Sequence, residues 1–169
     1  FNEEAVLPEL LERLTALFDK NPSITWSALL VNDGSRDQSA QIVRTRSARD
    51  ARFQLLELTR NFGFQAALAA GLAQASGDAL VTLDADLQDP PEVIAEFVKQ
   101  WQNGFHVVYG KRISRDGESL FKKTSAAMFY RLLHWLTEVD IPLDSGDFRL
   151  IDKKVADSLK AMNEKSVFI

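Results

Sequence analysis

A chain of 169 residues, 46% of them hydrophobic, has enough apolar side chains for one domain with its own core and no need of a covalent staple. It contains no cysteine and only two histidines, His106 and His134. That excludes disulfide frameworks, thiolate nucleophiles and Cys-based zinc centres, and it makes any bound metal a hard, oxygen-ligated ion. The net charge of −4 speaks against a general nucleic-acid partner, yet six basic residues face two acidic ones between Lys111 and Arg131, a local excess suited to an anionic ligand.

The chain opens at Phe1-Asn2-Glu3-Glu4 without an initiator Met and closes on Ser166-Val167-Phe168-Ile169, which has the character of another apolar element beginning. A longer native protein is therefore expected. No apolar run reaches the ~18 residues that a membrane span requires. Leu7, Leu10, Leu11, Leu14 and Phe18 recur at helical spacing and mark the buried stripe of a first helix. Apolar, β-branched runs then predict strands near 27–32, 53–58, 79–83 and 106–110, with helices at 37–49, 64–76, 91–103, 118–138 and 152–161. Strands alternating with helices imply an α/β domain with a mostly parallel sheet flanked by helices, spanning 1–169 as one unit. Pro90-Pro91 ends the extended chain after the third strand and presets the first turn of the helix that follows.

Two acidic motifs stand directly after apolar strands: Val31-Asn32-Asp33-Gly34-Ser35 and Leu83-Asp84-Ala85-Asp86-Leu87-Gln88. In open α/β sheets ligands bind outside the carboxyl ends of the strands, so both motifs point at one crevice. The spacing of Asp84, Asp86 and Gln88 turns all three to one side of an extended backbone. Two carboxylates and an amide oxygen make an incomplete hard-oxygen site for Mg²⁺ or Mn²⁺, with positions left for the oxygens of a diphosphate. The competing reading is an acidic surface turn, with Asp89 capping the next helix. Asp33 suits either a contact to donor groups of a nucleotide or a plain strand-to-helix turn, in which Gly34 permits the turn and Ser35 or Asp37 caps the helix.

Thr59-Arg60-Asn61-Phe62-Gly63-Phe64-Gln65 opens a helix of small residues, Ala66-Ala67-Leu68-Ala69-Ala70-Gly71, where Arg60 can face an anion and the small side chains allow close packing. Arg112 follows the fourth strand, and its forked guanidinium suits a phosphate. The 118–138 helix carries Phe121, Met128, Leu132, Trp135 and Leu136 on one stripe, for core packing or for attachment to an anionic membrane surface. Gly146-Asp147-Phe148-Arg149-Leu150 brackets an aromatic with an acid and a base, which by itself suits a salt-bridged turn.

Taken in order, these residues resemble the inverting glycosyltransferases of family 2, which have the GT-A fold, over essentially the whole chain. Phe1-Asn2-Glu3-Glu4 is similar to the end of that family's first-strand motif, Val31-Asn32-Asp33-Gly34-Ser35 to its nucleotide motif and Asp84-Ala85-Asp86 to its metal motif. Arg60-Asn61-Phe62-Gly63, the run Asp84 to Glu92 and Gly146-Asp147-Phe148-Arg149-Leu150 most resemble bacterial polyprenyl-phosphate glycosyltransferases and dolichyl-phosphate mannosyltransferase. The resemblance implies that Asp33 contacts the nucleoside, and that Asp84, Asp86 and Gln88 form the metal and diphosphate site. Arg60 and Arg112 then serve the nucleotide-sugar, and Asp147 takes the catalytic acidic position together with Asp86. It further implies that the first strand of the fold and the amphipathic and membrane-spanning C-terminal segments lie outside this chain. The expected partners are a nucleotide-sugar donor, UDP-glucose or a related UDP-sugar, and a polyprenyl phosphate acceptor at the cytoplasmic face of the bacterial inner membrane. No nucleic acid is expected, and a homo-oligomer is compatible with the pattern.

Three rivals explain part of the pattern. A sugar hydroxyl acceptor would require a true general base. An aspartyl-nucleophile phosphohydrolase would use Asp84 and Asp86 as attacking carboxylate and partner, but expects its motif on the first strand and a Thr or Val where Gln88 stands. A receiver-like switch domain accounts for Asp33, Asp84 and Asp86 and leaves Gly146-Asp147-Phe148-Arg149 idle.

Overall fold

The computed structural model describes residues 1–111 and 145–162. The chain divides into two compact units, one formed by Phe1–Val108 with Asp147–Ile169 and the other by Tyr109–Gly146. Nearly every described element belongs to the first.

Helix α1 (Leu7–Lys20) carries Pro8 in its first turn, where a missing N–H is no loss. It buries Leu7, Leu10, Leu11, Leu14, Leu17 and Phe18, the stripe expected from the sequence with Leu17 added. Strand β1 (Ala28–Asn32), helix α2 (Ser39–Ser47), strand β2 (Phe53–Glu57), helix α3 (Phe64–Gln74) and strand β3 (Ala79–Thr82) follow in the expected alternation. After Pro90, a single 3₁₀ turn at Pro91–Val93 leads into α4 (Ile94–Gln102), as the proline pair implies. Strand β4 (Val107–Lys111), strand β5 (Ser145–Asp152) and helix α5 (Lys153–Ala161) complete the described elements. The predicted 118–138 helix lies outside the described residues.

β1 and β2 pair in parallel, with Leu30 opposite Leu55. A second sheet has the order β3-β5-β4, and β5 runs antiparallel to β3 with Val81 opposite Leu150. This is an α/β fold with a parallel pair and helical crossovers, to which β5 adds an antiparallel strand that the sequence reading took for a turn motif. Its pattern explains the strand: Phe148 and Leu150 are buried, while Asp147 and Arg149, which alternate with them, stay partly exposed.

The core lies between α1, α4 and the strands. Phe18 stacks on Trp26 at 5.3 Å between ring centroids and packs on Phe53 at 5.6 Å, while Phe97 of α4 meets Phe148 of β5 at 4.7 Å. Helix α3 approaches β1 closely because its residues are small: a Cβ on Gly71 would lie 2.9 Å from Val31 Cγ2. Among the described residues, no helix is long and apolar enough to cross a membrane.

Candidate active site

The turn after β1 is tied locally and at long range. Asn32 Oδ1 accepts the Ser35 N–H at 3.0 Å, which closes the turn, and Gly34 supplies the left-handed backbone it needs at φ 67°. Asp37, rather than Ser35, serves the next helix: its Oδ1 accepts the Ser39 N–H at 3.0 Å. Ser35 Oγ instead accepts the backbone N–H of Asn2 at 3.0 Å. Four further bonds lace the chain's first residues to this loop, from Glu3 N–H to Ser39 Oγ at 2.9 Å, from Glu4 N–H to Asp37 Oδ2 at 3.1 Å, from Arg36 N–H to Asn2 Oδ1 at 3.0 Å and from Gln38 N–H to Glu4 Oε2 at 2.8 Å. Burial pushes the Asp37 carboxyl up, but the bonds from Ser39 and Glu4 outweigh it and hold the group below its ordinary value.

Asp33 is buried at the end of β1, 7% exposed. Its Oδ1 accepts the Phe62 N–H at 2.7 Å and its Oδ2 the Gly63 N–H at 2.9 Å, so the Asn32-Asp33-Gly34-Ser35 turn and the Arg60-Asn61-Phe62-Gly63 loop after β2 come together. Arg60 is exposed, with its guanidinium carbon 4.6 Å from the centroid of the Phe62 ring.

After β3 the chain shows the expected alternation. Asp84, Asp86 and Gln88 are exposed, whereas Leu83, Ala85 and Leu87 are partly buried and pack against the core. The backbone is not a continued strand, because a turn falls at Ala85-Asp86 and Leu87 adopts φ 59°. Asp86 Oδ1 accepts the Gln88 N–H at 3.0 Å, which closes that turn locally. Among the described residues no group of three or more acidic or histidine side chains could enclose a metal. Two exposed carboxylates and an amide oxygen therefore fit a hard divalent ion that takes its other ligands from a substrate, and do not fit a closed structural cage.

Asp147 is placed at the same sheet end. The β3–β5 pairing runs to Thr82 opposite Arg149, and the Thr82 hydroxyl donates to the Asp147 backbone carbonyl. Asp84 stands two residues beyond Thr82 and Asp147 two before Arg149, so the antiparallel register brings the two acidic positions towards each other. The Asp147 carboxylate also accepts a bond from Arg149 Nη2 at 3.1 Å. Arg112 lies outside the described residues.

The Asp147–Arg149 pair expected from the sequence is present, on a strand and not in a turn. Sequence reasoning missed the role of Thr82 and the amides of Phe62 and Gly63. Thr82 becomes visible only when β3 and β5 are paired, across more than sixty residues of sequence. The two amides carry no side-chain signal, although Gly63, at φ 91°, is the left-handed position from which α3 starts.

The family model described as glycosyl transferase family 2 matches residues 1–160. An uncharacterized glycosyltransferase of Bacillus subtilis, YkcC, is 48% identical over 169 residues, which is 100% of this chain and 52% of that protein. A prophage bactoprenol glucosyl transferase homolog of Escherichia coli is 36% identical over 100% of this chain and 55% of its own length. The chain thus spans about half the length of the curated relatives it matches. Among solved structures, the mannosyltransferase PcManGT of Pyrobaculum calidifontis, in complex with GDP-Man and Mn²⁺, aligns with a TM-score of 0.63 at 20% identity, over 94% of this chain and 44% of that one. The mannosyl-3-phosphoglycerate synthase of Rubrobacter xylanophilus aligns with a TM-score of 0.65 at 18% identity, over 91% and 51%. At those identities the likeness is one of fold, which is GT-A-like.

Proposed function

The chain belongs to glycosyl transferase family 2, and from that premise we propose that it moves a hexose from a nucleotide-sugar, UDP-glucose or a related UDP-sugar, to a polyprenyl phosphate. The curated relatives named as bactoprenol glucosyl transferases support that acceptor. The observation that carries the reading is the meeting of Asp147 with the Asp84-Ala85-Asp86 end of β3 through Thr82.

The reaction is a single displacement with inversion. An oxygen of the acceptor phosphate attacks the anomeric carbon, the bond from that carbon to the donor diphosphate breaks, and the nucleoside diphosphate leaves with the electron pair. Asp84, Asp86 and Gln88 would hold Mg²⁺ or Mn²⁺, and the ion when bound supplies positive charge for the departing diphosphate. The PcManGT complex contains Mn²⁺ with its donor, which supports a divalent ion on this fold. Arg60, and Arg112 which follows Lys111 in the sequence, would add fixed positive charge. A phosphate monoester has its second pKa near ~6 and is largely a dianion at neutral pH, so it needs little help from a base. Asp147, whose carboxylate is engaged by Arg149, accordingly orients groups at the acceptor side more than it takes a proton. A sugar hydroxyl acceptor would ask more of that carboxylate.

The setting consistent with this chemistry is the cytoplasmic face of a bacterial inner membrane, where the product would serve cell-envelope glycan or lipid modification. Calorimetric titration with a panel of UDP- and GDP-sugars, with and without Mn²⁺, tests the donor. Metal-dependent binding of one of them is expected, and no metal-dependent heat with any of them would overturn the reading.

A further inference from the structure

The buried carboxylate of Asp33 spends both oxygens on a loop 29 residues away: Phe62 N–H reaches Oδ1 at 2.7 Å and Gly63 N–H reaches Oδ2 at 2.9 Å. The adjoining residue makes the same junction tighter. A Cβ on Gly34 would lie 2.5 Å from the Arg60 carbonyl carbon and 2.6 Å from the Asn61 nitrogen, so the two backbones touch where only hydrogen fits. The turns after β1 and β2 are therefore clamped, by two charge-assisted bonds and by close backbone approach. The clamped loop carries Arg60, whose exposed guanidinium rests on the Phe62 ring. Fixing the Phe62 amide fixes the platform on which that guanidinium lies.

We propose that Asp33 is a positioning residue that sets Arg60 against the donor diphosphate by holding the Arg60–Phe64 loop. The clamp itself rests on geometry, while the role of Arg60 rests on the nucleotide-sugar reading. Asp33→Asn preserves size but turns an NH₂ group towards one of two backbone N–H donors, so one bond is lost and the loop loosens. A side chain that only stabilised the fold would lower the folded fraction and leave the donor Kd of the folded protein unchanged.

The experiment uses the intact protein and combines two readouts. Amide hydrogen exchange is followed at Phe62 and Gly63, and UDP-glucose binding with Mn²⁺ is measured by calorimetry for wild type, Asp33→Asn, Arg60→Ala and the double variant, with KM and kcat alongside. In Asp33→Asn, exchange at whichever of the two amides then faces the NH₂ group is expected to accelerate, about 10- to 100-fold at Phe62, the effect of losing a hydrogen bond to a charged group, and less at Gly63, whose N–H also reaches Asn61 Oδ1 at 3.1 Å, with β1 and β2 protected as before. Donor Kd and KM are expected to rise with little change in kcat, and the losses in the double variant are expected to fall short of the product of the two single losses, as those of coupled residues do. Unchanged exchange would overturn the clamp. Losses that multiply in the double variant would show Asp33 acting independently of Arg60 and overturn the positioning role. Faster exchange with unaltered Kd in both single variants would overturn it too, while leaving the donor reading to stand on Asp86. A wild type that binds no donor would instead sink the donor reading and the role of Arg60 with it, and exchange would still decide the clamp.

Discussion

The two halves of the candidate site are built in opposite ways. After β1 the acidic side chains bond to the protein itself: Asp33 holds two amides of the loop after β2, and Asp37 holds Ser39 and Glu4. At the end of β3 the apolar residues face the core and the polar ones face outward, with a local bond from Gln88 to Asp86 closing the turn. One half buries a charge to fix the backbone of a distant loop. The other keeps its carboxylates exposed, with the bond from Gln88 to Asp86 a local one. Acidic motifs at the ends of different strands thus perform different work, the buried Asp33 on one side and the exposed Asp84 and Asp86 on the other.

That contrast can be broken most severely on the exposed side. Asp86→Ala is expected to reduce metal-dependent sugar transfer roughly 1,000-fold, about 4 kcal/mol of transition-state stabilisation, with an unchanged far-ultraviolet dichroism spectrum. Full activity in this variant would remove Asp86 from the metal site. On the clamped side the damage should fall on stability instead. Gly34→Ala places a methyl group against the Arg60 and Asn61 backbone at a left-handed position, and a loss of about 2–4 kcal/mol in urea unfolding is expected. A loss indistinguishable from zero would mean that the two loops part easily.

A milder test addresses the joint between β3 and β5. Thr82→Val keeps the shape and removes the hydroxyl that meets the Asp147 carbonyl; about 1 kcal/mol of stability and some transfer activity are expected to go with it. An unaffected rate would detach Asp147 from the Asp84-Ala85-Asp86 motif. The gentlest effect concerns pH. The Arg52 side chain lowers the Asp50 carboxyl, Arg13 lowers Glu92 and the Trp101 indole lowers Asp152. Groups depressed in the folded state contribute stability above their unfolded pKa, near ~4, and lose it as pH falls through the folded value. Melting temperature is therefore expected to be level above about pH 5 and to fall below about pH 4. In Trp101→Phe the portion due to Asp152 should shrink.

Much of this architecture is legible in the amino-acid order. The leucine spacing of α1, the apolar runs of β1 to β4 and the Pro90-Pro91 break announce themselves because each is a local pattern with a local cause. The alternation of Asp84, Asp86 and Gln88 against Leu83, Ala85 and Leu87 is legible for the same reason. β5 is not, because two charged residues in five obscure a period-two pattern whose meaning depends on pairing with β3. The second use of Asp33 is hidden more deeply, since its partners are backbone amides brought in by the parallel register of β1 and β2. Side-chain chemistry advertises what a residue can bind, and tertiary pairing decides what it does bind.

Leu87 shows how the exposed half is kept in place. Its φ of 59° lies in the region where a side chain crowds its own carbonyl, a strain of roughly 1–2 kcal/mol for a residue other than glycine. Glycine would relax the backbone there but would remove the side chain that packs against the core. The position therefore acts as a keel: weight below the surface sets the attitude of the two polar groups that ride above it, Asp86 on one side and Gln88 on the other. A bulky apolar residue is demanded at a spot where every local propensity would ask for the smallest one.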